Sequence, residues 1–248
     1  NQRAMVYQRS KKILAARPFG SDENQYLEDF NWLNHSINPT KIEDDDFRIE
    51  VGEGENKYSM SVLNISGTSF GSISPRAIQS FSAGAKKGGF AHNTGEGSLS
   101  KYHQAGGGDT IWQISTGYFG CRTQDGKFDE NLFSLKAQLP QVKMIEIKLS
   151  QGAKPGHGGM LLGAKVSPEI AETRNVEPFK DVISPHKHSE FSTPEELLNF
   201  AKKLRDLSGG KPVGIKLCIG HPWEFTAIVK AMVQSKISLD FITVDGSE

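Results

Sequence analysis

The chain has 248 residues and a formal net charge of zero, because 29 Lys and Arg side chains balance 29 Asp and Glu side chains. This length is typical of one large domain, and the balanced charge argues against a nucleic-acid partner. No apolar run is long enough to span a bilayer and the N-terminus lacks a signal-peptide pattern, so we expect a cytoplasmic protein. A membrane anchor upstream of Asn1 is left open, because a first residue other than Met is typical of a piece of a longer polypeptide.

Residues 1–57 are polar and irregular, and we expect them to form an N-terminal arm that packs on the following domain. Residues 5–16 predict a short helix within this arm. The alternation of apolar and charged residues over 47–51 predicts an edge strand that stops at Gly52.

From residue 58 to residue 248 a pattern repeats, in which an apolar strand is followed by a loop rich in Gly, Ser and Thr and then by a helix that begins at a proline. Such alternation predicts an α/β fold with a parallel sheet and helical crossovers. Because polar residues and glycines gather after strand ends, we expect a (β/α)8 TIM barrel, truncated here after about six strands. The six predicted strands cover residues 61–66, 90–93, 111–116, 142–149, 213–219 and 239–244.

Residues 142–166 carry the strongest local signal for a binding site. The strand places Glu146 and Lys148 among branched apolar residues, and a loop with five glycines follows it. Glycine lets backbone N–H groups approach a ligand closely, and ligands of parallel α/β proteins lie at this end of the sheet. The alternative is that the loop is only a turn and that Lys148 is a lysine of the barrel rim.

The sequence predicts no metal site. Cys121 and Cys218 are its only cysteines, too few for a disulfide framework or an iron–sulfur cluster. His186 and His188 flank Lys187 without a third ligand at suitable spacing, so we interpret them as loop residues near the barrel mouth.

Several motifs, taken in order, resemble the central FMN-binding barrel of glutamate synthases. They are SFGSIS at 69–74, NTGEG at 93–97, QGAKPG at 151–156, ISP at 183–185, the Lys216 strand and VDG at 244–246. The N-terminal arm is similar to that of a subgroup of short, glutamate-synthase-like flavoproteins without a fused glutaminase domain.

This resemblance implies reductive amination, in which reduced FMN passes a hydride to 2-iminoglutarate formed from 2-oxoglutarate and ammonia. By motif position, the substrate-binding residues would be Glu96, Gln151, Lys154 and Arg174, and the catalytic ones Glu96, Lys148 and Lys154. The resemblance assigns cofactor binding to Thr68, Ser69, Gln113, Lys148, Lys216, Asp245 and Gly246. It also implies an electron-donor protein or an NAD(P)H-linked subunit, and a homo-oligomer is possible.

Three positions depart from the family pattern. Residues 156–160 read Gly-His-Gly-Gly-Met where the family normally reads Gly-Glu-Gly-Gly-Gln, so His157 replaces an acid and Met160 a glutamine. Tyr118 stands where the family tends to carry an arginine. These changes leave open a related amino or keto acid in place of 2-oxoglutarate. Met160 and His157 raise a second hypothesis, an enzyme that joins another amine such as methylamine to the keto acid, as N-methylglutamate synthases do. A third hypothesis is a non-catalytic barrel fragment.

In the family, the Val-Asp-Gly motif, here at 244–246, is followed by a Gly-Gly-Thr-Gly loop and two more strands. Because the last strands of such barrels commonly hold a phosphate group, we expect this chain to bind FMN weakly or not at all. Ordered FMN bound to residues 1–248 would contradict this expectation.

Overall fold

The computed structural model describes residues 7, 10, 11, 26, 36–39, 41, 47–153 and 158–246. Residues 1–45 and 46–248 form two compact units. In the first unit Tyr7 and Ser10 are helical, within the helix predicted over 5–16, and most of that segment lies outside the described residues. All strands of the described part of the chain belong to the second unit.

The second unit opens with an antiparallel hairpin of β1 (Arg48–Val51) and β2 (Tyr58–Ser61), joined through a 3-10 turn at Gly54–Asn56. The edge strand predicted over 47–51 is therefore confirmed. The hairpin joins residues on both sides of the predicted boundary between arm and barrel, and a boundary after residue 57 stays a prediction. Val51 and Tyr58 are buried with Met144 in one apolar cluster, so the hairpin closes one end of the sheet.

Five parallel strands form the main sheet, and the chain continues with a short two-stranded ribbon. The strands are β3 (Ala91–Asn93), β4 (Asp109–Ile114), β5 (Val142–Lys148), β6 (Met160–Leu161), β7 (Val182–Ile183), β8 (Val213–Cys218) and β9 (Ile242–Asp245). The sheet has the order β3-β4-β5-β8-β9, with every pair parallel, while β6 and β7 pair antiparallel. The sheet curls into half of a barrel, which confirms the predicted truncated (β/α) barrel.

The strand predicted over 61–66 forms only in part. Ser61 ends β2, Val62 and Leu63 are exposed, and Ile65 makes a single parallel bridge to His92 of β3. The reason lies in Asn64, whose side chain accepts a hydrogen bond from the Ala91 backbone at 2.9 Å in place of a ladder partner. The bridged segment lies beside β3, at the position of a sixth strand.

Six helices connect the strands: α1 (Pro75–Gly88), α2 (Lys101–Gly106), α3 (Glu130–Ala137), α4 (Pro168–Arg174), α5 (Pro194–Leu207) and α6 (Pro222–Ser235). Helices α1, α4 and α5 begin at a proline, as predicted, and the residue before each proline caps the helix: Ser74, Ser167 and Thr193 each accept a hydrogen bond from a first-turn amide. Thr193 and Glu196 form a capping box. Helices α2 and α3 are short and were not predicted.

The main core lies between the outer face of the sheet and helices α3, α5 and α6. Trp112 of β4 is fully buried and stacks on Phe133 of α3 with ring centroids 5.2 Å apart. Ile145 and Ile147 of β5 belong to the same cluster. Since side chains alternate along a strand, Glu146 and Lys148 face the opposite side, the inside of the half-barrel.

The inner face is apolar at one end and polar toward the carboxyl ends of the strands. Ala91, Ile111 and Met144 form its apolar layer against the hairpin. The next layer holds Asn93, Gln113, Glu146 and Thr243, and the layer after that Ser115, Lys148, Lys216 and Asp245. Within the described residues no helix has the length and apolarity needed to cross a bilayer.

Candidate functional site

A buried carboxylate is the shared hydrogen-bond acceptor of the middle layer of the inner face. Glu146 is 2% exposed, and its Oε1 accepts hydrogen bonds from Asn93 Nδ2 at 2.8 Å and Gln113 Nε2 at 2.6 Å. Its Oε2 accepts from Thr243 Oγ1 at 2.8 Å. Four strands, β3, β4, β5 and β9, therefore share one acceptor, as a buried carboxylate requires.

A second carboxylate lies one layer closer to the mouth, in the loop after β3. Glu96 Oε2 is 3.5 Å from Lys148 Nζ and accepts a hydrogen bond from Ser115 Oγ at 3.2 Å. The Lys148 ammonium also donates to Gln151 Oε1 at 2.5 Å. Both members of the pair are largely buried, with side-chain exposures of 12% for Lys148 and 17% for Glu96, so solvent screens them less than a surface pair.

The neighbouring strand supplies a matching pair. Lys216 of β8 is the register partner of Lys148, and its Nζ is 3.2 Å from Asp245 Oδ1 of β9. Asp245 Oδ2 accepts from the Gly152 backbone at 3.1 Å and so anchors the start of the glycine loop. Two adjacent strand ends thus each present a lysine that is neutralised by one carboxylate.

Glycine permits the close packing around Glu96. A Cβ placed on Gly159 would lie 1.8 Å from Glu96 Oε1, so the backbone leading into β6 lies directly against this carboxylate. On the other side, Gly95 has φ +62°, and a Cβ there would lie 2.6 Å from Ser69 Oγ. Both positions exclude larger residues without rearrangement.

The cleft that results opens at the carboxyl end of the sheet. Its lining consists of Glu96, Ser115, Thr116, Lys148, Leu149, Ser150, Gln151, Gly158, Gly159, Pro185 and His186. The structure therefore places predicted site residues Glu96, Lys148 and Gln151 together in one cleft, with His186 at its mouth.

Within the described residues, two larger clefts lie elsewhere, and each is lined in part by a charged residue that makes a structural contact. In one, Arg205 binds Asp240 at 2.8 Å, and the same Asp240 oxygen accepts from the Val213 backbone. In the other, Asp181 accepts a hydrogen bond from the Gly163 backbone at 2.6 Å. Size alone therefore does not identify the site.

Arg174, the last residue of α4, is 4% exposed. One terminal nitrogen donates to the Phe70 carbonyl at 3.1 Å, and the guanidinium lies 5.1 Å from the centroid of the Phe119 ring. Burial lowers the pKa of Arg174, and the negative charge of Glu96 opposes that shift. Its Nε is buried without a hydrogen-bond partner among the described residues, which is a costly state for a cation.

Several residues predicted to bind a flavin are held by hydrogen bonds within the fold. Ser69 Oγ accepts from the Gly97 backbone at 3.2 Å, and Thr68 Oγ1 donates to the Ser66 carbonyl at 2.9 Å. The side-chain nitrogen of Gln113 is held by Glu146, one layer below Lys148. Gly246 follows β9 with φ +133°, a conformation that glycine adopts readily.

Other predicted positions fall outside this cleft or outside the described residues. Lys154 and His157 belong to the gap 154–157, so the structure does not test their predicted roles. Met160 is 65% exposed and pairs with Ile183 across the β6–β7 ribbon.

Tyr118 is buried, and it contacts His188 rather than the cleft. The two side chains share a hydrogen bond of 3.0 Å between Tyr118 Oη and His188 Nδ1. His188 is therefore a packed residue of the loop after β7, and burial lowers its pKa to about 4. Burial also raises the pKa of Tyr118.

Sequence reasoning missed the acceptor at the centre of the site. In the sequence, Glu146 stands out only as a charged residue within an apolar strand, and Asn93 only as part of a motif. The available signal was the strand itself, because a carboxylate between two buried isoleucines at alternating positions must face a polar interior with donors.

Comparisons with known proteins identify the family of this chain. A family model described as the conserved region in glutamate synthase matches residues 21–248. The glutamate synthase large subunit-like protein YerD of Bacillus subtilis (strain 168) is 48% identical over 192 residues, covering 77% of this chain and 36% of that protein.

Two archaeal-type enzymes are also similar. The archaeal-type glutamate synthase (NADPH) of Thermotoga maritima is 34% identical over 179 residues, covering 72% of this chain and 32% of that protein. The archaeal glutamate synthase (NADPH) of Methanocaldococcus jannaschii is 30% identical over 219 residues, 88% of this chain and 39% of that protein. The chain thus spans about a third of the length of these relatives. By the match over residues 21–248, the chain belongs to the glutamate synthase family.

Proposed function

We propose that this chain forms the catalytic end of a glutamate-synthase-like, FMN-dependent oxidoreductase that converts 2-oxoglutarate and ammonia to glutamate through 2-iminoglutarate. The observation that carries the proposal is the Glu96–Lys148 pair, held at 3.5 Å in a cleft at the carboxyl ends of parallel strands. A carboxylate and an ammonium at this distance can hold and move a proton beside a bound substrate.

The residues present fit a flavin ring. Two lysines in register, Lys148 and Lys216, can stabilise negative charge that develops on a ring placed over the strand ends. The loop before Thr68 passes close to the inner face at Gly67, which has no side chain. A Cβ at this position would lie 3.3 Å from Gln113 Nε2. When bound in its reduced form, FMN would supply the hydride that reduces the imine carbon and would itself be oxidised.

Arg174 and Glu96 suit two different groups of the proposed substrate, a carboxylate and the imine nitrogen. The buried guanidinium of Arg174 has an Nε without a partner among the described residues, and a keto-acid carboxylate is the kind of acceptor that would satisfy it. Lys154 and Gln151 remain the proposed partners of the other carboxylate. Glu96 would hold the nitrogen of ammonia and then of the imine, and would move the proton that the imine nitrogen requires.

The electron donor and the assembly are part of the same proposal. The names of the Thermotoga and Methanocaldococcus relatives include NADPH, and we infer an NAD(P)H-linked donor for the enzyme to which this chain contributes. A homo-oligomer is compatible with this arrangement.

The test is anaerobic flavin reoxidation in the full-length protein. The flavin is reduced chemically, and absorbance is followed after 2-oxoglutarate and ammonium are added together or singly. We expect reoxidation only with both, and a rate at least about 100-fold lower in Glu96→Gln, since positioned acid–base groups contribute about that much. Lys148→Met should also slow it.

Matched controls make this outcome specific. Glu50→Gln and Lys127→Met alter exposed ion pairs of the same residue types and should leave the rate unchanged. Methylamine in place of ammonium tests the second hypothesis raised by Met160 and His157, and faster reoxidation with methylamine would favour it. Full-length protein that binds no flavin, or equal rates in Glu96→Gln and Glu50→Gln, would refute the proposal.

The weak FMN binding expected of residues 1–248 has its own test. Titration of this chain with FMN, followed by flavin fluorescence, should show little quenching. Tight, saturable quenching would show that the strands described here hold the cofactor without further ones.

A further inference from the structure

The last carbonyl of β5 has an unusual partner. Lys148 lies one residue beyond Ile147, which forms the final register pair between β5 and β4 with Ile114. The Lys148 carbonyl accepts a hydrogen bond from His188 Nε2 at 2.8 Å. At the end of β5, the His188 side chain therefore supplies the hydrogen-bond donor that a backbone N–H of a neighbouring strand would otherwise supply.

The hydrogen bonds of His188 determine its tautomer. A carbonyl can only accept, so Nε2 carries the hydrogen, and the neutral ring then accepts at Nδ1 from the Tyr118 hydroxyl at 3.0 Å. The Tyr118 oxygen in turn accepts from the Glu190 backbone at 3.3 Å. The chain of donors and acceptors runs in one direction and leaves one orientation for the imidazole.

Packing holds the two rings in place. His188 is 4% exposed and stacks on Phe191 with centroids 4.7 Å apart, while Tyr118 is 1% exposed and meets the edge of Phe128. Tyr118 follows β4 in the same loop as Ser115, the residue that donates to Glu96. The pair thus connects the loops after β4 and β7 with the end of β5.

We infer that His188 and Tyr118 are positioning residues for Lys148: they fix the peptide from which its side chain extends, and so direct the ammonium toward Glu96 and Gln151. The relevance of this positioning to catalysis rests on the proposed function. The positioning itself does not, because it can be measured on this chain without cofactor or substrate.

The experiment measures how fast acetic anhydride labels the Lys148 amine, relative to exposed Lys127 in the same sample, by peptide mass spectrometry. His188→Gln places an amide group at the position of Nε2 and so keeps a donor for the Lys148 carbonyl. His188→Asn is shorter, reaches only the position of Nδ1, and loses that donor. We expect wild-type labelling in H188Q and an increase of about two- to tenfold in H188N, the effect of one lost hydrogen bond. Tyr118→Phe should cause a smaller increase.

Controls separate positioning from a general loss of packing. His92→Phe alters another buried histidine, one whose ring nitrogens have no partner among the described residues, and should leave Lys148 labelling unchanged. Equal labelling in H188Q and H188N, or an increase in H92F as large as in H188N, would overturn the inference. Increased labelling in H188N together with an inactive wild-type full-length protein would refute only the proposed function.

Discussion

Glu146 and Thr243 are 97 residues apart in the chain, yet Thr243 Oγ1 donates to Glu146 Oε2 at 2.8 Å across the inside of the half-barrel. The bond links the centre of the sheet to β9, its edge among the described strands. The polar layer that supports the lysines therefore depends on contacts between strands that are distant in sequence.

Removing the charge of Glu146 should destabilise the chain. In Glu146→Gln an amide nitrogen replaces one of the oxygens that accept from Asn93, Gln113 and Thr243, so at least one buried donor loses its acceptor. We expect a loss of about 1–3 kcal/mol in the free energy of unfolding, measured by urea denaturation. Glu50→Gln, at an exposed ion pair, should cost less than about 1 kcal/mol, and equal losses would contradict this view of the network.

Gly159→Ala should impair the site more than the fold. The added Cβ meets the end of the flexible Glu96 side chain, which can rotate away at little cost but then leaves Lys148. We expect flavin reoxidation in the full-length protein to slow at least about tenfold, the effect of roughly 1.4 kcal/mol in the barrier, while the urea midpoint changes little.

Gly84→Ala is the matched control, since a Cβ on this helical glycine meets nothing within 4 Å. This substitution should stabilise the chain by about 0.5–1 kcal/mol and leave the rate unaltered. A Gly159→Ala protein with wild-type reoxidation would show that Glu96 does not need its observed position.

Asp245 should protect the start of the glycine loop from hydrogen exchange. Because its Oδ2 accepts from the Gly152 amide, Asp245→Ala is expected to speed hydrogen exchange at Gly152 by about two- to tenfold, measured by NMR or mass spectrometry. Asp181→Ala breaks an equivalent bond to the Gly163 amide and should speed exchange there, not at Gly152. If the rate of hydrogen exchange at Gly152 is the same in wild type and Asp245→Ala, Asp245 does not anchor the loop.

Stability should fall in mild acid because of a buried histidine. Burial lowers the pKa of His92 to about 4 from its ordinary 6.5, so between these values the unfolded chain binds the additional proton. The free energy of unfolding therefore rises with pH across this window, by up to about 1.4 kcal/mol per pH unit for one such group.

His92→Phe tests this directly, since it removes that group and should flatten the dependence between pH 4 and 6.5. Denaturant unfolding at several pH values measures the slope. Two other buried histidines leave a residual slope in the variant, because burial lowers the pKa of His103 to about 3 and that of His188 to about 4. Parallel curves for wild type and variant would mean that His92 is not buried in its neutral form.

Local sequence signals predicted the helices that open with a proline, because a capping side chain and a proline act within one turn. They missed α3, although Asp129 caps it by accepting from the Leu132 amide, because only a short apolar stripe follows. They missed α2 because its capping box uses His103 at the position where Glu or Gln is the usual signal.

Local sequence patterns were enough to predict the main strands, the helices that begin at a proline, and a motif that contains Glu96. These features follow from periodicity and from residue types within a few positions of each other. The contacts between groups distant in the chain could not be predicted in this way: Glu146 with Thr243, Glu96 with Gly159, and Lys148 with His188. The reason is that such contacts depend on strand register and on loops that meet at one end of the sheet, which no local pattern specifies.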